Sequence, residues 1–468
     1  MKTIVVTKHD VFWSYIATAV NSGIGFLLLP LLAIFLDDDL LALWYIFSSL
    51  GTVVTLLDFG LTPSLSRNVT NAWCGAKEIL RQGTTRDIGD HPNFSLMSKI
   101  MGASRLLFLG IALFAATALL TVGSVYIKFI SNPIKPILVL PSWFVFCAAI
   151  FLNVYYGYYA TFLRGIGQIG LYSKVTIFSK LIQAGLSFIF MILGLGLLAP
   201  SIAYMISGFS LRVLSKHFFE KAVCISKHPE LRKRPSLSDV KKILGVMWPN
   251  SWRDGLVSLS DYFTTQGGTI VCSLFLSLKD AGIYAISLQL LNVVHNVSAV
   301  YCNSKRPAMQ SAYISRDIKL LTDGVATAMF LYAIMYIVGT LSVAFVFAPI
   351  LTFIKPSYIF DIPFLFFLAL YLYLIGRFKL YASYISMTNN LSYYLSFIIS
   401  GVLSLGAAVL SLMFFGSNVY ALIAPQLAVQ LVYNIWKWPK YFLNMIGTNE
   451  KTLLITFIRK INVFYNWQ

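Results

Sequence analysis

Hydrophobic residues gather in twelve long stretches along this chain, at about 11–34, 40–62, 103–127, 138–162, 171–193, 196–214, 244–276, 281–303, 322–347, 362–386, 391–415 and 418–436. Most reach the ~17 to 25 residues with which a helix crosses the hydrocarbon core of a bilayer. The polar segments between them alternate in charge. Nearly all of the 36 Lys and Arg fall on the N-terminus, the even-numbered loops and the C-terminus, whereas Lys128, Lys135, Lys279 and Lys355 lie on odd-numbered loops and Lys180 and Arg253 lie within spans. Basic loops are held on the cytoplasmic side of a membrane, so the pattern puts both termini in the cytoplasm. The predicted fold class is therefore an all-α polytopic membrane protein of twelve transmembrane helices.

The longest loops, about 65–100 and 215–243, are both on the basic side, and the second divides the spans into two sets of six. The expected organisation is an N-terminal six-helix lobe over 1–214, a basic linker over 215–243, a C-terminal six-helix lobe over 244–436 and a cytoplasmic tail over 437–468. An internal echo supports two lobes: Phe35, Leu36, an acidic cluster, Tyr45 and Pro63 in the first half answer to Phe275, Leu276, Asp280, Tyr284 and Pro307 in the second. Six spans per repeat make the two halves parallel, related by a pseudo-two-fold along the membrane normal, with a polar cavity expected at the centre.

Helices that carry polar residues carry them at helical spacing, which turns one face of each away from lipid. Span one has Ser14, Thr18, Asn21 and Gly25; span two has Ser48, Gly51, Thr55 and Asp58; span five has Ser173, Thr176, Lys180, Gln183 and Ser187. Span seven is richest, with Asn250, Asp254, Ser258, Asp261 and Thr265, followed by Gln266, while span eight has Gln289, Asn292, Asn296 and Asn303. Two explanations fit the Ser, Thr and Asn positions equally: lining for a hydrated cavity, or interhelical hydrogen bonds worth ~0.6 kcal/mol each. Neither interhelical glue nor chance accounts for Lys180, Asp254 and Asp261, because a charge near mid-bilayer costs ~2.5 to 3.5 kcal/mol. Water, a partner or a ligand must meet such a charge.

Other candidates keep two readings open. Arg253 follows Trp248 and Trp252, so it either snorkels to the interface or contacts a substrate. Arg67, Arg164 and Arg377 lie at basic-side helix ends, explained by topology or by an inner cavity mouth. His295 flanks the stripe of span eight and could titrate, or serve as a hydrogen-bonded structural histidine. Tyr155, Tyr156, Tyr158 and Tyr159 form either an aromatic belt or a stacking surface for sugar rings.

Composition closes off other classes. Of 468 residues 58% are hydrophobic and 12% charged, too few charges for a water-soluble surface. The net charge of +18 is spread over loops as insertion requires, which argues against nucleic acid, although the cluster from Lys216 to Lys242 suits lipid headgroups. Five cysteines with no CxxC pair give no basis for a disulfide framework or a metal site, and no cofactor is expected. The GxGxxG of Gly165, Gly167 and Gly170 joins two membrane helices and lacks the strand of a dinucleotide fold. The sequons at Asn68, Asn93, Asn296 and Asn390 lie in basic-side loops or spans. No GxxxxGK[ST] occurs, and the outer loops are too short for the acceptor domain of a membrane polymerase or glycosyltransferase, so the chain is not expected to be an enzyme.

Three segments, LLDFGLTPSLSR at 56–67, FLRGIGQIGLYSKVTIFSKLIQAGLSFIFMILGLGLLAPSIAYMISG at 162–208 and MWPNSWRDGLVSLSDYFTTQGGTIVCSLFLSLKDAGIYAISLQLLN at 247–292, resemble the Wzx-type polysaccharide (O-antigen repeat-unit) flippases of the multidrug/oligosaccharidyl-lipid/polysaccharide exporter superfamily. The resemblance implies a protein of the bacterial inner membrane that moves an undecaprenyl-diphosphate-linked oligosaccharide from the cytoplasmic to the periplasmic leaflet by alternating access. It also implies coupling to a proton or sodium gradient, contact with membrane lipid, and a polymerase partner in the same O-antigen or capsule pathway. On that reading Lys180, Arg253, Arg164, Arg377, Gln266 and Asn292 face the substrate, because cations offset the charge of a diphosphate. Asp58, Asp254, Asp261 and His295 are then the ion-coupling candidates. A multidrug extruder of the same superfamily is the alternative; it would want an acidic cavity, whereas here the deep charges are mixed.

Overall fold

The computed structural model describes residues 4–56, 60–85, 87–131, 136–231, 235–276, 278–354, 360–416 and 418–465, and these are helical nearly throughout. The chain forms two compact units, residues 1–81 with 85–251, and residues 82–84 with 252–468.

The first unit contains α1 (Lys8–Phe35), α2 (Asp38–Leu56), α3 (Leu61–Trp73), α4 (Phe94–Ala118), α5 (Ser124–Ile130), α6 (Pro136–Tyr156), α7 (Tyr158–Gly165), α8 (Ile169–Ile192), α9 (Leu198–Ala222) and the start of α10 (Leu237–Phe275). Thr7 and Asp10 close a reciprocal capping box at the start of α1, and the Asn93 side chain accepts from the Leu96 amide at the start of α4, so side chains in the sequence mark where both helices begin. Helix α8 packs between α1 and α9, and α6 packs against α9 and α4. A hydrophobic cluster around Phe47, Trp143 and Phe146 joins α2 to α6, with the Phe47 and Trp143 rings 4.9 Å apart. The RGIGQIG segment is a tight turn: α7 ends at Gly165, Gly167 takes a φ of 84° that an L side chain resists, and α8 begins at Ile169.

The second unit continues α10 and adds α11 (Leu278–Ser298), α12 (Val300–Ile314), α13 (Ile318–Ser342), α14 (Ala348–Ile354), α15 (Ile362–Ser386), α16 (Tyr394–Phe415), α17 (Val419–Val432), α18 (Asn434–Met445) and α19 (Glu450–Tyr465). Its core is a large cluster centred on α15, with Leu368, Tyr371, Ile375, Tyr381 and Tyr384 all nearly inaccessible. The two units repeat a distinctive local pattern. In each, a 25-residue helix (α4 or α13) passes through a 5-residue wide turn of i→i+5 type into a 7-residue helix (α5 or α14).

Nine helical stretches among the described residues are long and apolar enough to cross a membrane. They correspond to expected spans three to six and eight to twelve; α1, α2 and α10 occupy the positions of the other three. The architecture is that of a polytopic helical membrane protein.

Several expected boundaries move, each for a physical reason. The first long loop shrinks to residues 74–93, because Leu65, Val69 and Ala72 give α3 a buried face against α7 and extend helical structure to Trp73. The fourth span bends at Gly157 and the eighth at Ala299, so each becomes a pair of helices. The last span breaks at Tyr433 but continues as α18 to Met445. That break is bridged by buried amides: Asn434 Nδ2 donates to Gln430 Oε1 at 2.8 Å, Gln430 Nε2 to Ser404 Oγ at 3.1 Å, and Trp438 Nε1 to Asn434 Oδ1 at 2.9 Å. Residues 450–465, expected in a tail, form α19, which packs on α13.

Candidate functional site

In the first unit the polar stripe of α8 divides between two neighbours. Ser173 Oγ lies 3.1 Å from Ser14 Oγ of α1, while Ser179 Oγ donates to the Ser207 carbonyl of α9 at 2.7 Å. Ser173, Gln183 and Ser187 are buried. Lys180 stands between these two sets, partly buried, with its Nζ donating to the Gln183 side-chain carbonyl at 3.2 Å. Among the described residues no carboxylate comes within ion-pair distance of it. The bond to Gln183 comes from the same helix face, one turn on, which is why it is available in any packing arrangement of α8. An amide dipole orients an ammonium but does not cancel its charge, so this part of α8 presents a net positive group within a membrane span. Arg164 is half-buried at the end of α7, where it has a partner of its own.

The second unit gathers charge differently. Asp261 of α10 forms an ion pair with Lys379 of α15. Lys379 is the more deeply placed, its side chain 20% exposed against 45% for Asp261. Beside it, His295 Nδ1 of α11 lies 3.0 Å from the Tyr332 hydroxyl of α13, and Tyr332 is fully buried. Gly376, one turn before Lys379 on α15, allows this meeting: a Cβ there would stand 2.7 Å from His295 Nδ1 and closer still to the Tyr332 hydroxyl. Four helices therefore converge on one polar node made of Asp261, Lys379, His295 and Tyr332. Nearby, Tyr371 of α15 ties this helix to α10 and α17, its hydroxyl 3.2 Å from the Thr264 carbonyl of α10 and 3.1 Å from Gln426 Oε1 of α17.

The remaining candidates spread along the same unit. Arg253 lies over the Tyr394 ring at 5.1 Å and the Trp252 ring at 5.7 Å, and its Nε is buried without a hydrogen-bond partner among the described residues. The aromatic neighbours expected of an interfacial arginine are present, and they hold the guanidinium through cation–π contact. Asp254, the next residue, is buried and has a partner. Arg377 pairs with Glu450 of α19 and lies 5.6 Å from the Tyr381 ring, so it is a clamp between α15 and α19 within this unit. Asn292 is half-buried on α11. Asp58 and the side chain of Gln266 lie outside the described residues.

The structure thus brings Asp261 and His295 to one node and adds two members that sequence reading passes over, Lys379 and Tyr332; Glu450, which pairs with Arg377 elsewhere in the unit, was passed over too. Lys379 carried a signal: it stands two residues after Arg377 at the basic-side end of a span, where topology already accounts for a lysine. Glu450 lies in a segment without a span, which offers no reason to look for a partner of Arg377.

No curated protein matches the chain. Among solved structures it is similar to the outward-facing conformation of a multidrug resistance MATE family transporter of the MOP superfamily, with a TM-score of 0.67, 14% identity, and coverage of 95% of this chain and 100% of the other. It is similar to a MOP superfamily transporter from Pyrococcus furiosus Vc1 (DSM3638), whose reversed binding-pocket polarity was taken to suggest a different function, with a TM-score of 0.64, 13% identity, and coverage of 95% and 100%. A MATE transporter in complex with MaD5 gives 0.65, 15% identity, and coverage of 94% and 99%. At such identities these likenesses establish the fold. Residues 7–312, well over half of the chain, match the family model for polysaccharide biosynthesis protein, and the chain belongs to that family.

Proposed function

We propose that this protein is a flippase that carries an undecaprenyl-diphosphate-linked oligosaccharide across the bacterial inner membrane, from the cytoplasmic to the periplasmic leaflet, by alternating access. It acts as a transporter and not as an enzyme. The observation that carries the reading is Lys180: an ammonium on a membrane-spanning helix, met by a neutral amide, in a chain of the polysaccharide biosynthesis family. A diphosphate moving through the membrane needs a cation that is not already neutralised by a carboxylate. Arg253 supplies a second cation, held on aromatic faces. Arg164 at the end of α7 and Asn292 on α11 are further contacts on this reading, and Arg377, already clamped by Glu450, contributes least.

Ion coupling falls to Asp254, Asp261 and His295. Lys379 bound to Asp261 is a switchable pair, since protonation or cation binding at the carboxylate would release the ammonium beside His295. Both termini are then cytoplasmic, and the O-antigen or capsule polymerase of the same pathway is the expected partner.

The fold shared with a multidrug MATE transporter supports an alternative, antiport of a cationic drug. It would require an available acid, and Asp261 is already occupied by Lys379. The test is leaflet-resolved movement of radiolabelled lipid-linked repeat unit in inverted vesicles beside efflux of a cationic dye. Movement of the label sustains the flippase; dye efflux with a stationary label sustains the extruder.

A further inference from the structure

The tyrosine run of 155–159 is not used by the Lys180 site, and it builds a cavity of its own within the first unit. A space of about 420 Å³ opens between α4, α6, α7, α9 and the segment leading into α10. Arg105 of α4 and Arg212 of α9 face it, and its described lining holds no carboxylate. Arg212 is in contact with the Tyr156 ring, and Arg105, which donates to Met101 Sδ at 3.5 Å, lies beside Tyr158 and Tyr159. Within each tyrosine pair the rings are tilted against each other, with centroids of Tyr155 and Tyr156 4.2 Å apart at 47° and those of Tyr158 and Tyr159 4.4 Å apart at 32°. The floor is closed by Pro235 against Gly102, and an ion pair of 2.9 Å between Lys99 and Asp239 fastens that segment to α4.

Hydropathy fixes the level of this cavity. Arg105 stands in the first turn of span three and Arg212 in the last turn of span six, both on the side of the basic loops. From there the exposed face of α6 runs into the apolar layer through Ala148, Phe144 and Pro141, and Phe151 stacks on Tyr155 at 6.0 Å to join the stripe to the cavity. Leu106 and Phe209, each about half exposed, flank it beside the two arginines.

We infer that this cavity is a headgroup site for an acidic phospholipid of the basic-side leaflet, with the phosphodiester between Arg105 and Arg212, the tyrosine hydroxyls donating to its oxygens, and an acyl chain along the exposed stripe of α6. Paired guanidiniums match phosphate oxygens in geometry and charge. A zwitterionic lipid would bring an ammonium into a lining with two cations and no acid, so phosphatidylglycerol is accepted and phosphatidylcholine is not.

The test is native mass spectrometry of the full chain, delipidated in detergent and titrated with dioleoyl-phosphatidylglycerol or dioleoyl-phosphatidylcholine. Phosphatidylglycerol binds the wild type at least tenfold more tightly than phosphatidylcholine. Arg105→Gln with Arg212→Gln weakens it about 30-fold, at ~1 kcal/mol for each arginine near a membrane surface. Arg105→Lys with Arg212→Lys keeps the charge without the planar fork and weakens binding by no more than about tenfold, less than the glutamine variant, which separates a lost site from a lost fold. Lys180→Gln leaves the binding unchanged. Equal binding of the two lipids, no loss in the glutamine variant, or equal loss in Lys180→Gln overturns the assignment. So does displacement of phosphatidylglycerol by substoichiometric undecaprenyl diphosphate, which would give the cavity to a lipid diphosphate instead.

Discussion

Removing Asp261 alone from the Asp261–Lys379 pair should cost more than removing both partners, and removing Lys379 alone about as much as removing both. Opposite charges about 4 Å apart attract by ~4 kcal/mol at an effective dielectric constant of 20, before desolvation is subtracted. Exposed pairs retain 0.2 to ~1 kcal/mol of this, and breaking a buried pair costs ~3 to 5 kcal/mol because an unpaired charge is left behind. The pair here lies between those limits, with Lys379 20% and Asp261 45% exposed. Asp261→Asn strands the better covered charge, so its expected cost is about 2 kcal/mol; Lys379→Met strands a carboxylate with more access to water, at about 1 kcal/mol. The double variant strands neither, and its cost should be about 1 kcal/mol, which gives a coupling of about 2 kcal/mol. Reversible denaturant unfolding of the four proteins in lipid–detergent micelles measures this cycle. Additive costs, with the double variant the least stable of the four, would refute the claim that these two charges neutralise each other.

Three further outcomes follow from the same geometry. Gly376→Ala places a methyl group against His295 and Tyr332, and overpacking of this kind should lower stability by ~1 to 3 kcal/mol in the same unfolding assay, whereas Gly406→Ala on α16, where a Cβ would meet nothing within 4 Å, should be neutral. Ser173→Ala should destabilise the first unit by ~0.6 kcal/mol, the average for a membrane hydrogen bond, and should be silent in a Ser14→Ala background, where its partner is already gone. Arg377→Ala should cost no more than ~1 kcal/mol, since Glu450 is 56% exposed and can return to water, and vesicle transport should persist at a rate within about threefold of the wild type.

The membrane architecture was legible because apolar length sets the spans, and stretches of that length recur along most of the chain. The site was legible only where a charge stood where lipid would not tolerate it. Lys180 and Asp261 declared themselves in that way, and so did Asp254. Lys379 did not, because a lysine near a basic-side helix end has an ordinary explanation, and only the crossing of α10 with α15 turns it toward Asp261. Helix breaks were hidden for a related reason. Gly157, Ala299 and Tyr433 each lie inside one continuous candidate span, so apolar length alone does not mark them, and at Tyr433 the buried Gln430–Asn434–Trp438 chain bridges the break. The buried face of α3 escaped because its polar residues, Arg67, Asn68 and Asn71 among them, read as loop, although at helical spacing they are covered by protein.

The most direct test of the account is the initial rate at which inverted vesicles move lipid-linked repeat unit away from the cytoplasmic leaflet, compared between the wild type, Lys180→Arg and Lys180→Met at equal protein levels in the membrane. If Lys180 meets the diphosphate, arginine retains at least a tenth of the rate and methionine, which keeps the length of the side chain without its charge, loses it by 30-fold or more, in line with the ~2 to 3 kcal/mol of a charged hydrogen bond. A methionine variant that transports at the wild-type rate would contradict the central claim.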